Sequence, residues 1–235
     1  MKITFEIYYH TRWGESLFLS GDIDELGANE ENRAVMMDYQ GDGLWKYTME
    51  LPASAKKFHY EYLVKSGEGI RREWGSPHSF SPGRNAGEYR LVDRWRDVPA
   101  DLPFYSSAFI QGIFFRQHAD SVVETIDPGT LTVKVDASQL RPDERLVMVG
   151  DCPELGDWDV LKAPLLNDSA FPEWQITLDG RQLKFPFEYK FVIVRTHQRE
   201  VVAWETGENR ICREKPQNPS EAVVVSGLRF NGSES

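Results

Sequence analysis

The chain is 235 residues long, 40% hydrophobic and 27% charged, with a net charge of −10 at neutral pH. That length is enough for one large core or two small ones. The acidic balance excludes nucleic acid or an anionic membrane as partner, since either needs clustered Lys and Arg to displace counterions, and it suits a neutral ligand.

In chain order, the N-terminal "MKITFEIYYH" alternates apolar and polar residues like a half-buried strand. It does not form the apolar core of a signal peptide, and no apolar run approaches membrane-spanning length, so a cytoplasmic location is expected. The strands "LFLSG", "LWKYTMEL" and "FHYEYLV" follow, separated by turn clusters such as "QGDG" and "SPGRNAG". Residues 98–129 read differently: "DVPADLP" and "DPG" flank an apolar stretch, "FYSSAFIQGIFF", too apolar for a plain linker. This stretch is expected to pack between modules or on another domain. Beyond it come "TLTVKV", "RLVMVG", "WQITL", "FEYKFVIV" and "EAVVVSGL". Short strands punctuated by turns, without an amphipathic helix, indicate an all-β chain of β-sandwiches. Cys152 and Cys212 are too few for a disulfide framework and are expected as free thiols, one bridge being the alternative. For a cytoplasmic chain the sequons at Asn167 and Asn231 are chance matches.

A repeat organises these strands. Gly21-Asp22 and Gly150-Asp151 lie 129 residues apart, and so do Trp45 and Trp174, and Phe58 and Phe187. The period is a whole domain, so the chain is read as two tandem immunoglobulin-like β-sandwich modules joined by a partly apolar linker. Module 1 spans residues 1–97, the linker 98–129, module 2 residues 130–230, and a tail 231–235.

The ordered set "LGDW", "FEYKF" and "WETGENR" in module 2 resembles the starch-binding domains of carbohydrate-binding module family 20. Module 1 keeps the framework with weaker site motifs. A tandem pair at the start of a chain, with "YYHTRWGESLFLSG", "LGAN", "RLVDRW" and "SSAFIQGIFF", is further similar to the leader of glycoside hydrolase family 77 4-α-glucanotransferases. The resemblance implies an α-1,4-glucan partner (starch, glycogen or malto-oligosaccharide), no cofactor, and a catalytic barrel downstream of this segment.

A glucopyranose ring has C–H faces that a flat aromatic can cover, while its polar edges take hydrogen bonds. The resemblance makes Trp158 and Trp204 the stacking pair of module 2, with Lys190, Glu205 and Asn209 bonding hydroxyls. Position agrees: Trp158 follows a Leu-Gly-Asp turn, and Trp204 adjoins a Gly-containing turn. Alternation along "FEYKF" points Phe187, Tyr189 and Phe191 one way and Glu188 and Lys190 the other. Trp174 heads a strand and is expected in the core. In module 1, Asn29 stands at the first tryptophan position and Glu61 at the lysine position. "EWGSPHSF" replaces the third motif, keeping only Trp74. The family's second site maps instead onto Trp13, Asp38 and Tyr39, with Pro142 and Phe171 at the matching places of module 2. The alternative for Trp13 is packing on the linker or the neighbouring module.

Nothing catalytic is legible. The carboxylates do not sit on a strand–helix alternation, and the five histidines lack metal-ligand spacing. No phosphate loop or Gly-x-Ser-x-Gly elbow occurs. The chain is therefore expected to be non-catalytic and metal-free: a glucan-targeting pair for a glucanotransferase barrel. The alternatives are a stand-alone glycogen adaptor, or a structural pair for oligomerisation or packing on a catalytic domain.

Overall fold

The computed structural model describes residues 1–83, 87–97 and 126–232, and divides the chain after Thr125 into two compact units. The apolar stretch at residues 104–115 lies outside the described residues.

Unit 1 contains β1 (Lys2–Tyr8), β2 (Ser16–Gly21), β3 (Val35–Met36), β4 (Asp38–Gly41), β5 (Leu44–Glu50), β6 (Phe58–Ser66), β7 (Gly69–Arg72), β8 (His78–Phe80) and β9 (Glu88–Arg94). One of its sheets pairs β1 with β5 antiparallel and with β9 parallel, and adds β4 at the edge beside β5. The other pairs β6 with β2, β7 and β8, with β3 beside β2. Ile3, Phe5 and Ile7 of the first sheet and Leu17, Leu19, Phe58, Tyr60 and Tyr62 of the second are buried, as alternation requires of a sandwich core.

Unit 2 repeats the plan with β10 (Thr130–Asp136), β11 (Glu144–Gly150), β12 (Asn167–Ala170), β13 (Glu173–Asp179), β14 (Phe187–Arg195), β15 (Val201–Trp204), β16 (Arg210–Cys212) and β17 (Glu221–Arg229). Here β10 pairs with β13 antiparallel and β17 parallel, and β14 takes β11, β15 and β16. Gly21 faces Tyr60 as Gly150 faces Tyr189, so the 129-residue offset holds in the register. The unit starts ahead of residue 130: Ile126 is buried, and Gly129 exchanges backbone bonds with Gly180 and Glu221. At the other end, the Asn231 carbonyl accepts from the backbone N–H and hydroxyl of Thr206.

Trp174 is buried as expected, and so is Trp45 at its repeat position; their indole N–H groups donate to the carbonyls of Ala137 (3.2 Å) and Tyr9 (3.1 Å) respectively. Both cysteines are free and buried. Among the described residues no helix is long and apolar enough to cross a membrane, and no group of His, Cys, Asp and Glu side chains could hold a metal ion.

Candidate functional site

The Gly-Asp-x-x-x-Leu-Gly stretch builds the same turn twice. A Cβ on Gly21 or Gly150 would meet the carbonyl oxygen of His59 at 2.7 Å or of Glu188 at 2.5 Å, so only glycine lets the strands approach here. The next residue clasps the partner strand: Asp22 accepts from the His59 N–H (2.8 Å), and Asp151 from the Glu188 N–H (2.9 Å). Leu26 and Leu155 are buried beneath, and each chain then turns through a left-handed glycine, Gly27 (φ 86°) or Gly156 (φ 81°). Two residues later the turn closes with a third left-handed residue. In unit 1 it is Asn29 (φ 62°), whose N–H donates to the Gly21 carbonyl at 2.6 Å. In unit 2 it is Trp158 (φ 65°), donating to the Gly150 carbonyl at 2.8 Å. Asn tolerates this conformation, whereas a bulky aromatic adopts it at a cost of roughly 1–2 kcal/mol.

Trp158 is half-buried and packs, with Val160, against the buried cluster formed by Val147, Val149, Ala163, Val192 and Val194. The valines of that cluster lie on the outer face of the β11–β14 pair, the face that also carries Glu188 and Lys190. Trp204 is paired directly with Val192 across β14–β15, so its indole joins that face, and it is 42% exposed. Val192 is thus paired with one indole across the sheet and belongs to the cluster against which the other packs.

The polar members divide into surface and support. Asn209 is exposed and donates to a Glu188 carboxylate oxygen at 2.8 Å, a partner that the motif match did not single out. The Lys190 ammonium donates to the carbonyls of Glu205 (3.0 Å) and Gly207 (2.6 Å), pinning the turn between Trp204 and Asn209. An ammonium has three hydrogens, so one is left for a hydroxyl. Glu205 differs from its expected role as a sugar ligand. It is only 3% exposed, and its carboxylate is forked by the Arg210 guanidinium and also receives the Phe191 N–H. It anchors the turn from below.

Among its described residues unit 1 has no such pair of indoles, and Trp74 is not the counterpart of Trp204. The Glu73 N–H bonds the Tyr62 carbonyl as the Glu205 N–H bonds the Phe191 carbonyl, which sets Arg72, not Trp74, at the Trp204 position. The cause is the hairpin. β6 and β7 are joined by a tight turn with Ser66 opposite Gly69, whereas β14 and β15 are joined through a longer Arg195–Glu200 turn. The sequence offset therefore grows from 129 to 132 beyond it. Trp74 sits in the following bend, half-buried, its backbone N–H donating to the Arg96 carbonyl. The Arg72 side chain bonds Glu61 and Glu31 (2.8 Å to the latter), and His59 at the Glu188 position pairs with Asp22 at 2.8 Å. Burial pushes the Glu61 carboxyl up, and the Arg72 charge only partly offsets this. A charged network thus occupies the face where unit 2 presents indoles.

Unit 1 shows its aromatics elsewhere. Trp13 is fully exposed on a turn between β1 and β2, and Tyr39, on edge strand β4, is 56% exposed. The Tyr39 ring lies 5.0 Å from that of Trp45 at 51°, and its hydroxyl accepts from the Gly43 N–H at 3.2 Å. Asp38 is exposed beside it, opposite Lys46. In unit 2 the nearest counterpart, Phe171, lies not on β12 but in the turn just beyond it, 6.5 Å from Trp174 and edge-on to it.

A β-sandwich with two indoles on one sheet face, flanked by amide, ammonium and carboxylate groups, has the layout of a carbohydrate-binding module, and this chain holds two units of that fold. The chain belongs to the starch binding domain family (carbohydrate-binding module family 20), whose model matches residues 1–85 and 130–223. It is similar to 4-alpha-glucanotransferase DPE2 of Oryza sativa subsp. japonica, at 27% identity over 252 residues, covering 96% of this chain and 26% of that protein. It is also similar to the cyclomaltodextrin glucanotransferase of Geobacillus stearothermophilus, at 26% identity over 110 residues, 44% of this chain and 14% of that protein. Among solved structures, the family 20 module of the maltotetraose-forming amylase from Pseudomonas saccharophila STB07 is similar at 19% identity and a TM-score of 0.34, covering 41% of this chain and 99% of that one. The chain thus spans about a quarter of the rice relative's length.

Proposed function

We propose that the chain binds α-1,4-glucans through Trp158 and Trp204 of unit 2 and through Trp13 and Tyr39 of unit 1, and serves as the substrate-binding part of a cytoplasmic 4-α-glucanotransferase. The observation that carries the reading is the shared outer face of Trp158 and Trp204 around Val192, with Lys190, Asn209 and Glu188 on or beside it. Two indoles cover C–H faces of glucose units, and the flanking donors and acceptors take the hydroxyls. In unit 1 Asp38 lies beside Tyr39 as the hydroxyl acceptor. Two weak sites on one chain raise avidity for a long glucan without adding contacts. The family match and the rice relative support the glucan and the transferase setting, in which a family 77 barrel is the partner.

The test is affinity electrophoresis in glycogen, paired with titration calorimetry using maltoheptaose. The double variant Trp158→Ala, Trp204→Ala is expected to lose the unit 2 binding event and most of the retardation. Unchanged retardation by a folded double variant would rule out the unit 2 assignment.

A further inference from the structure

Trp13 is fully exposed, so its direction is set by its turn and not by packing of its ring. That turn runs Arg12-Trp13-Gly14-Glu15. The Glu15 N–H donates to the Arg12 carbonyl at 3.0 Å, Gly14 takes a positive φ of 82°, and the Glu15 carboxylate accepts from the Arg12 N–H at 2.8 Å. Glu15 then reaches across to β7, where its other oxygen lies 3.4 Å from the Arg71 guanidinium. Arg71 also donates to the Tyr9 hydroxyl and lies 5.5 Å from the ring centres of both Tyr9 and Trp95, which are themselves 4.7 Å apart. The Tyr9 N–H bonds the Gly43 carbonyl at 2.7 Å, and the Gly43 N–H returns to the Tyr39 hydroxyl. A continuous series of contacts therefore joins the two exposed aromatics of unit 1, and Arg71 is its middle member.

We propose that Arg71 is a positioning residue of the unit 1 site, tying the turn that carries Trp13 to the loop that orients Tyr39, so that both rings meet one α-glucan chain at a fixed separation. This rests on the reading of Trp13 and Tyr39 as glucan platforms. Unit 2 supplies an internal comparison. It builds the same turn from Arg141 to Glu144, with the Glu144 N–H on the Arg141 carbonyl (3.0 Å) and the Arg141 N–H on the Glu144 carboxylate (2.8 Å). Its tip residue is Pro142, and Ala203, opposite Ile193, stands where Arg71 stands opposite Val64. The turn is common to both units, whereas the guanidinium accompanies only the turn that bears an indole. A cation held between a carboxylate, a phenol and two rings is a rigid joint, because the planar guanidinium bonds in its plane and stacks on its faces.

The test uses the full chain with Trp158→Ala and Trp204→Ala to silence unit 2, and maltoheptaose as the probe in titration calorimetry. Arg71→Gln is expected to weaken binding about fivefold with an unchanged melting temperature, and Tyr9→Phe, which keeps the ring and removes the acceptor, to give part of that loss. Because Arg71 acts through Trp13, adding Arg71→Gln to Trp13→Ala should cost nothing beyond Trp13→Ala alone. Independent, additive losses would overturn the proposal, as would full affinity in both Arg71→Gln and Tyr9→Phe while Trp13→Ala binds weakly. If Trp13→Ala itself binds normally, the unit 1 site assignment fails first and the latch with it. If Arg71→Gln does not fold, Tyr9→Phe, alone and combined with Trp13→Ala, decides the matter by the same comparison.

Discussion

Replacing Trp204 by alanine removes a platform without opening a core. A tryptophan can bury up to about 250 Å², and 42% of Trp204 is exposed, leaving roughly 100 Å² for a ligand. A glucose unit covers one face, about half of that, which at ~25 cal/mol per Å² is ~1.3 kcal/mol, or about tenfold in affinity. Stacking of nucleic-acid bases on aromatics spans ~1–3 kcal/mol, which brackets this figure. Trp204 ends edge strand β15, so its loss should leave the melting temperature within a few degrees. The assay is calorimetric titration with maltoheptaose in a Trp13→Ala background, alongside Trp204→Phe, which keeps a smaller ring and should recover most of the affinity. A less than twofold change for Trp204→Ala in a folded chain would refute the reasoning. Equally, a collapse of unit 2 would show that Trp204 is a framework residue.

Trp158→Asn installs the residue that unit 1 uses at the same left-handed position. Relief of backbone strain partly offsets the lost packing, so stability should fall by no more than about 2 kcal/mol while glucan binding weakens at least fivefold; chemical denaturation and titration separate the two. In unit 1, burial alone would raise the Glu73 carboxyl, but the charge and hydrogen bonds of His78 and Arg96 outweigh it and hold the group below its ordinary range. A carboxyl lowered in the folded state stabilises above its unfolded pKa of ~4.3 and loses that contribution as pH falls through the folded value. Glu73→Gln should cost about 3–5 kcal/mol at neutral pH and flatten the acid limb of unit 1 unfolding; an unchanged limb would dissociate Glu73 from the acid response. Burial pushes the Cys152 thiol up to about 11, so iodoacetamide at pH 8 should label it slowly in the native chain and rapidly after denaturation.

The tandem all-β plan was legible because its anchors are sequence-local. Gly-Asp turns, the core tryptophans and period-two strands each announce themselves within a few residues, and the 129-residue spacing multiplies the signal. Trp158 and Trp204 were singled out by the resemblance of "LGDW" and "WETGENR" to the family's motifs, their places beside turns only agreeing with it. Legibility ended where a hairpin changed length. Beyond the β14–β15 turn, matching Trp74 to Trp204 by residue type missed the register by two residues, and only the paired N–H bonds of Glu73 and Glu205 restored Arg72 to its place. The role of Glu205 was hidden for another reason: a carboxylate after an exposed tryptophan reads as surface, and its burial depends on Arg210 five residues later. Contacts such as Arg72 with Glu31, 41 residues apart, leave no local pattern at all.

The Asn29–Trp158 pair shows how one scaffold supports two divisions of labour. The turn dictates a left-handed residue whatever its identity, because the glycine approach and the Asp clasp fix the backbone on either side. Asn is the low-strain occupant, and on the corresponding sheet of unit 1 the side chains of Glu31, Glu61 and Arg72 satisfy one another. A tryptophan persists in that conformation only where its surroundings hold it, and in unit 2 the buried cluster of four outer-face valines and Ala163 does so. Strain of this kind is retained where it presents a group that relaxation would withdraw. Under the proposed function, presenting an indole beside Trp204 on that sheet face meets the condition, and Trp13 on its own turn would supply the corresponding surface in the unit where a charged network takes the first face.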